Sequence, residues 1–256
     1  MDGQGELFEV QRPRIASAGD TALTIELGDA GAPGVSGRVL DLYLRFKDAE
    51  LPGVLDLVPA IRSLTVHYDP AATSARMLRS LVEAWVFAPG GGHVDVDERP
   101  VGRVWRIPAC YAAEAAPDVE DVARRCGLMP WQVPALHACV SYRVLMVGFL
   151  PGQPYLGDLP PPLRLPRRET PRTDVPAGSV AIAGTMCVIY PFESPGGWHI
   201  IGRTPARLFD QARAEPALLA PGDEVRFRAV EADELEALSE AVRAGRWVLE
   251  PEICDG

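Results

Sequence analysis

Glycine and proline punctuate residues 148–210 so densely that no long helix fits there. Glycine permits positive φ, whereas proline fixes φ and removes an N–H donor. Between these breaks stand three short apolar runs, VAIA at 180–183, MCVIY at 186–190 and WHII at 198–201. Runs of that length bounded by Gly or Pro read as strands of a β-barrel or sandwich. Single Arg, Trp, Tyr and His residues sit beside the turns, and turns on a rigid β scaffold are where sites usually form.

The rest of the chain is organised around this segment. Residues 1–16 lack periodicity and read as a loose arm. ALTIEL (22–27) is a strand that ends at Gly28. Val35, Val39, Leu42 and Phe46 recur at helical spacing on one face of a helix. VLDLVP (54–59) and SLTVHY (63–68) are strands separated at Pro59. Thr73 or Ser74 can cap a second helix with the face Leu78, Leu81, Val82 and Trp85. HVDVDE (93–98) reads as a last strand, giving the order β-α-β-β-α-β of a ferredoxin-like domain at 15–98. A second domain at 99–230 opens with the strand RVWRIPACY. Pro117 then starts a helix with Asp118, Glu120 and Asp121 in its first turn and Gly127 at its end. A short helix from Pro130 to His137 leads into a buried strand, YRVLMVGF. An acidic helical tail, 231–256, is expected to pack on the barrel.

Composition narrows the function classes. The net charge of −10 argues against general nucleic-acid binding. No apolar run approaches the roughly 18 residues of a membrane span. The segment MDGQGELFEV has no apolar core and does not read as a signal peptide. The five cysteines, Cys110, Cys126, Cys139, Cys187 and Cys254, form no CxxC. They read as buried free thiols of a cytoplasmic protein, and no metal site is expected. Without a Gly-Lys dipeptide there is no phosphate-binding loop, so any ATP must be bound by another chain. GxSxG is absent too, and Ser179 reads as a turn residue rather than a nucleophile.

Several residues can carry chemistry. Arg164, Arg167, Arg168 and Arg172 form either a solvated loop balanced by Glu169 and Asp174 or a clamp for a carboxylate or phosphate. Strict alternation from residue 198 would place Trp198, Ile200 and Gly202 on one strand face and His199, Ile201 and Arg203 on the other. His137 has the ordinary pKa for acid–base work at neutral pH. Tyr111 and Tyr155 suit pocket walls with polar tips. His67 and His93 read as structural or surface residues.

The blocks GFLPGQPYL, LPRRETPR, VPAGSVAIAG, IYP, SPGGWHIIGRTPARLFD and PGDEVRF resemble signatures of the allophanate hydrolase subunit 1 family. That family also goes by the name of the 5-oxoprolinase B subunit and includes KipI-type kinase inhibitors. GDTALTIELGD, VPAIRSLTVHYDP, IPACY, PDVEDVARRCGL and LHACVSYRVLMVGF fit in order, extending the resemblance over about residues 15–230. The resemblance implies an α+β protein whose second domain is a cyclophilin-like β-barrel. It implies a subunit of an ATP-dependent amide or lactam hydrolase that opens 5-oxoproline to glutamate. A larger homologous subunit, of the 5-oxoprolinase C-type or allophanate hydrolase subunit 2 type, would be the partner through which ATP acts. Alternatives within the resemblance are a histidine-kinase inhibitor, a carboxyltransferase subunit of urea or allophanate metabolism, and a paralogue recruited to another small molecule.

These readings and the resemblance together select site residues. His137 and Arg203 become the candidate catalytic groups. Tyr111, Gln153, Tyr155, Arg167, Met186, Cys187, Trp198 and His199 become the candidate substrate-binding groups. Three departures fall inside the signature blocks. Gln153 stands where the family usually has Phe, Met186-Cys187-Val188 where it has Gln-Thr-Gly, and Ala112-Ala113 where it has Gly-Gly. A narrower, more apolar pocket is expected from them.

Overall fold

A computed structural model describes residues 13–29, 34–87 and 102–252. The chain divides into two compact units, Met1–Arg99 and Pro100–Gly256.

In the first unit, β1 (Arg14–Ser17), β2 (Ala22–Glu26), β3 (Val54–Pro59) and β4 (Ser63–Tyr68) form an antiparallel sheet in the order β1-β2-β4-β3. Alternation decides which side is buried. Leu23, Ile25, Leu64 and Val66 point into the core, while the hydroxyls of Thr24 and Thr65 meet on the opposite face, 3.1 Å apart. Helices α1 (Val35–Ala49) and α2 (Ala75–Phe87) cover the apolar side with Val39, Leu42, Phe46, Leu78 and Val82. The Ser74 hydroxyl accepts the Met77 N–H at 3.3 Å at the start of α2. One expectation is corrected. The position beside β2 is occupied by Arg14–Ser17, most of which the sequence assigned to a loose arm. The strand read at 93–98 lies outside the described residues, as does His93.

The second unit is a closed barrel. Its strands are β5 (Val104–Cys110), β6 (Ser141–Val147), β7 (Pro154–Leu156), β9 (Ser179–Ala183), β10 (Met186–Ile189), β12 (His199–Arg203) and β13 (Glu224–Val230). The order is β10-β7-β6-β13-β5-β12-β9, closed by pairing of β9 with β10. This closed barrel fits the expected cyclophilin-like fold, and closure leaves the sheet no free edge strand. The β5–β13 pair is parallel, matching Val104 with Glu224 through Cys110 with Val230. A two-stranded ribbon, β8 (Arg172–Val175) with β11 (Ser194–Gly196), lies outside the barrel order. Where β5 and β13 begin, the buried Asp223 carboxylate accepts Trp105 Nε1–H at 2.9 Å and Arg103 Nη2–H at 3.0 Å.

Inward residues of every barrel strand join one core with Val122 of α3 (Val119–Cys126) and Val133 of α4 (Gln132–Ala138). Gly127 ends α3 in the left-handed conformation, as its position predicts. The last helix, α5 (Ala232–Arg243), packs on β5 and sets Leu235 against Cys110, Ala115 and Val230. Cys110 and Cys187 are buried, but Cys139 is exposed, contrary to the reading of its run as core. Cys254 lies outside the described residues. No helix among the described residues is long and apolar enough to cross a membrane.

Candidate functional site

Strand alternation splits the expected site residues between the inside and the outside of the barrel. Inside, a hydrogen-bonded chain runs through His137. Its Nδ1 lies 2.9 Å from the Tyr111 hydroxyl and its Nε2 lies 3.3 Å from Cys187 Sγ. The Tyr142 hydroxyl donates to the His137 carbonyl at 2.9 Å, and the Phe227 ring lies 4.5 Å from the imidazole. His137 is fully buried, and that burial pushes its pKa down to about 3. Burial also pushes the Tyr111 phenol and the Cys187 thiol up. At neutral pH all three groups stay uncharged. This arrangement suits a polar lock on the core, not the acid–base role expected of His137.

Outside, a second cluster forms on β7, β9, β10 and β12. Ala181, Ala183, Val188, Trp198 and Ile200 are buried in it with Val175 and Tyr190, and Tyr155 and Met186 pack against them. Val188 pairs with Tyr155 on one side and Ala181 on the other. Of the three residues in the departure at 186–188, Met186 and Val188 therefore line this outer cluster, whereas Cys187 faces the interior. The Tyr155 ring meets Trp198 edge-on at 6.1 Å, and the Arg167 guanidinium lies over the Trp198 ring at 5.4 Å. A cation held over an aromatic ring is oriented without being neutralised.

Polar groups converge on the same cluster. The Gln153 side-chain amide lies beside the Tyr155 phenol, which burial pushes up. Gln153 is buried, yet its Oε1 has no partner. Leaving a buried acceptor unpaired costs about 1–3 kcal/mol, so this oxygen is free to take a hydrogen bond. Burial pushes the Tyr190 phenol up to about 12. Gly196 leaves room for that hydroxyl, because a Cβ there would lie 2.3 Å from it.

A β-bulge in β12 overturns the simple alternation predicted from residue 198. The register shifts between Ile200 and Gly202. Gly202 thereby turns inward, where a Cβ would sit 3.1 Å from the Cys110 carbonyl and 3.2 Å from the Tyr111 ring. Arg203 comes out opposite Ser179, exposed, with Nε donating to the Ala177 carbonyl at 3.4 Å. It shares neither face nor surroundings with His199. The His199 imidazole is buried, donates from Nε2 to the Pro166 carbonyl at 3.0 Å, and leaves Nδ1 without a partner. Burial pushes its pKa down.

The arginine loop resolves into separate roles. Arg164 donates to the Leu159 carbonyl and Arg167 covers Trp198. Arg168 and Arg172 do clamp a carboxylate, but it is the protein's own Asp118. Arg172 donates to it from both Nη atoms, at 2.8 and 2.7 Å, and Arg168 from Nη1 at 3.0 Å. The Ile200 N–H donates to the same carboxylate at 2.7 Å. Asp118 is a residue that sequence reasoning missed. As a first-turn acid of α3 it looked like a dipole partner, yet it makes no cap bond. Pairing it with arginines 50 and 54 positions away needs the fold.

The class to which this closed barrel belongs is given by the family comparisons. Residues 13–219 match the family described as carboxyltransferase domain, subdomain C and D, and the chain belongs to that family. Among its relatives it is 40% identical to the 5-oxoprolinase B subunit of Escherichia coli O157:H7 over 219 residues, covering 85% of this chain and 96% of that one. It is 34% identical to the 5-oxoprolinase B subunit of Bacillus subtilis (strain 168) over 238 residues, covering 90% and 98%. The crystal structure of TTHA0988 superposes with a TM-score of 0.66 at 38% identity, over 82% of this chain. This chain spans only 40% of TTHA0988. The Kluyveromyces lactis urea carboxylase shares the fold at 21% identity with a TM-score of 0.67, over 94% of this chain and 24% of that one.

Proposed function

We propose that this chain is the B-type subunit of a cytoplasmic 5-oxoprolinase and that it holds the lactam on the outer face of its barrel. The observation that carries this reading is the Arg167 guanidinium over Trp198 beside the unpaired Gln153 Oε1. 5-Oxoproline offers a match for each element: a carboxylate for the cation, a flat ring for the indole, and a lactam N–H for the buried acceptor. Opening it adds water across one C–N bond and gives glutamate, with ATP hydrolysis driving the reaction. Among the described residues the pocket holds no side chain set up as a nucleophile, so its work is binding and orientation. A larger homologous subunit supplies the ATP site and completes the chemistry. Its docking surface includes the exposed Phe149 and Phe192, and Arg203 stands exposed for an anionic group. The first unit, on this reading, is a ferredoxin-like variant whose outer strand is β1.

The test is co-expression with the larger subunit. The complex should hydrolyse ATP only in the presence of 5-oxoproline, and this chain alone should hydrolyse none. Arg167→Ala should weaken 5-oxoproline binding by about 1.5–3 kcal/mol, the range for a charge-assisted hydrogen bond. ATP turnover by the isolated chain, or undiminished affinity in Arg167→Ala, would overturn the reading.

A further inference from the structure

Residues 165–172 form an arm stitched down along its length. The Gly184 N–H donates to the Leu165 carbonyl at 2.7 Å, and the Arg168 N–H donates to the Gly197 carbonyl at 2.8 Å. Between them, His199 Nε2–H holds the Pro166 carbonyl at 3.0 Å. A carbonyl only accepts, so this bond fixes the imidazole tautomer with its hydrogen on Nε2. Beyond Arg167, the arm is tied through Arg168 and Arg172 to Asp118. The Asp118 side chain is 5% exposed, while those of Arg168 and Arg172 are 28% and 25% exposed.

Asp118 joins three elements. It stands at the start of α3, it takes both arginines of the arm, and it is bound to β12 in both directions. Its N–H donates to the Ile200 carbonyl at 3.0 Å, and its carboxylate receives the Ile200 N–H. Ile200 is two residues from Trp198. The two ties of the arm therefore bracket Arg167 on either side, and the same two anchors, His199 and Asp118, belong to or bind the strand that Trp198 immediately precedes. Arg167 is the arginine of the pair 167–168 whose guanidinium lies on the indole instead of on Asp118.

We infer that Asp118 and His199 are positioning residues, clamping the arm so that Arg167 is preset over Trp198 for an anionic ligand while Arg168 and Arg172 serve Asp118 and bind no ligand. This rests on the outer-face pocket being the ligand site. Holding a long cation in its bound geometry removes an ordering cost from the binding step. It also explains why three arginines within six positions need not recognise three anionic groups: one faces the ligand and two neutralise a buried carboxylate.

A variant cycle decides it, carried out on the chain with its co-expressed partner. The variants are Arg167→Met, Arg172→Met, their combination, and Asp118→Asn. Two quantities are read well below the melting temperature: affinity for 5-oxoproline by calorimetry, and the emission of Trp198, taken as the difference from the matching Trp198→Phe protein. Arg172→Met should weaken 5-oxoproline binding by about tenfold or more, since a small misplacement of a binding group is that damaging. It should shift Trp198 emission in the same direction as Arg167→Met, and it should add almost nothing to binding once Arg167 is gone. Independent, multiplying losses would overturn the inference, because they would make Arg172 a ligand contact or a general stabiliser. Unchanged Trp198 emission in Arg172→Met would overturn it as well. Should Asp118→Asn fail to fold, Arg172→Met at its more exposed position carries the test. If the wild-type complex does not bind 5-oxoproline, the functional reading falls, and the emission cycle still decides the clamp.

Discussion

His137 carries a pH signature that its neighbours make testable. Its pKa is pushed down to about 3 by burial, against an ordinary value near 6.5. Above pH 6.5 the imidazole is neutral in both folded and unfolded chains and contributes no pH dependence. Below it, the unfolded chain takes up a proton that the folded chain refuses until near pH 3. Stability should therefore fall as the pH drops through that window, by up to about 1.4 kcal/mol per pH unit. His199 is lowered too and bends the curve the same way, so the measurement is a difference. His137→Gln should be less stable at pH 7.5, having lost its bonds to Tyr111 and Cys187, but its urea midpoint should fall less between pH 7.5 and pH 4.5. Equal falls would put the acid sensitivity elsewhere. The sequence made His137 visible as a titratable group but not as a buried one, because burial depends on α4 packing against β12 and β13, which lie far along the chain. Trp198 was singled out by its place beside a Gly-Gly turn, whereas Arg167 was singled out among the four arginines of one loop only through the resemblance. Asp118 was not, since a first-turn acid looks the same whether it faces solvent or two arginines.

Among the elements, the short β strands were the most legible. Runs such as 180–183 and 186–190 are apolar on both sides and sharply bounded by Gly or Pro, and they appear as β9 and β10. Arg14–Ser17 was not legible as a strand, because four residues of mixed polarity show no period. The bulge in β12 was also hidden. An inserted residue leaves no pattern of its own, and only Gly202 marks the place where backbone and Tyr111 come close. The ribbon of β8 and β11 has a similarly tight contact at Gly196, over the Tyr190 hydroxyl. Gly196→Ala should push that hydroxyl aside and destabilise the protein by about 1–3 kcal/mol, the usual range for overpacking. Adding Tyr190→Phe should recover part of the loss, with a coupling of at least about 0.5 kcal/mol between the two positions. Additive losses in a thermal-melt cycle would show that the ribbon, and not the hydroxyl, is what the glycine accommodates.

At the scale of the whole molecule, the proposed partner surface makes a prediction of opposite signs. Phe149 is 72% exposed and adopts φ 70, a left-handed conformation that costs a side-chain-bearing residue roughly 1–2 kcal/mol. Phe149→Gly should remove that strain and raise the melting temperature of the isolated chain. It should also remove an aromatic anchor and weaken the complex with the larger subunit by about 2 kcal/mol. Co-elution and light scattering measure the second effect and calorimetric melting the first. A variant that is stabilised yet assembles normally would remove Phe149 from the docking surface. The parallel pairing of β5 with β13 has its own consequence for how the chain is made. Val104 meets Glu224, a partner 120 positions later (224 − 104). Closing so long a loop is entropically slow, and contacts of high sequence separation delay folding. During synthesis β5 leaves the ribosome long before its neighbour on that side exists, and its N–H and C=O groups on that flank stay unpaired until residue 230 has emerged. The barrel is thus a structure that the nascent chain cannot close by degrees. Chains stalled short of Glu224 should be cut by protease within β5, and chains extended past Val230 should be protected there.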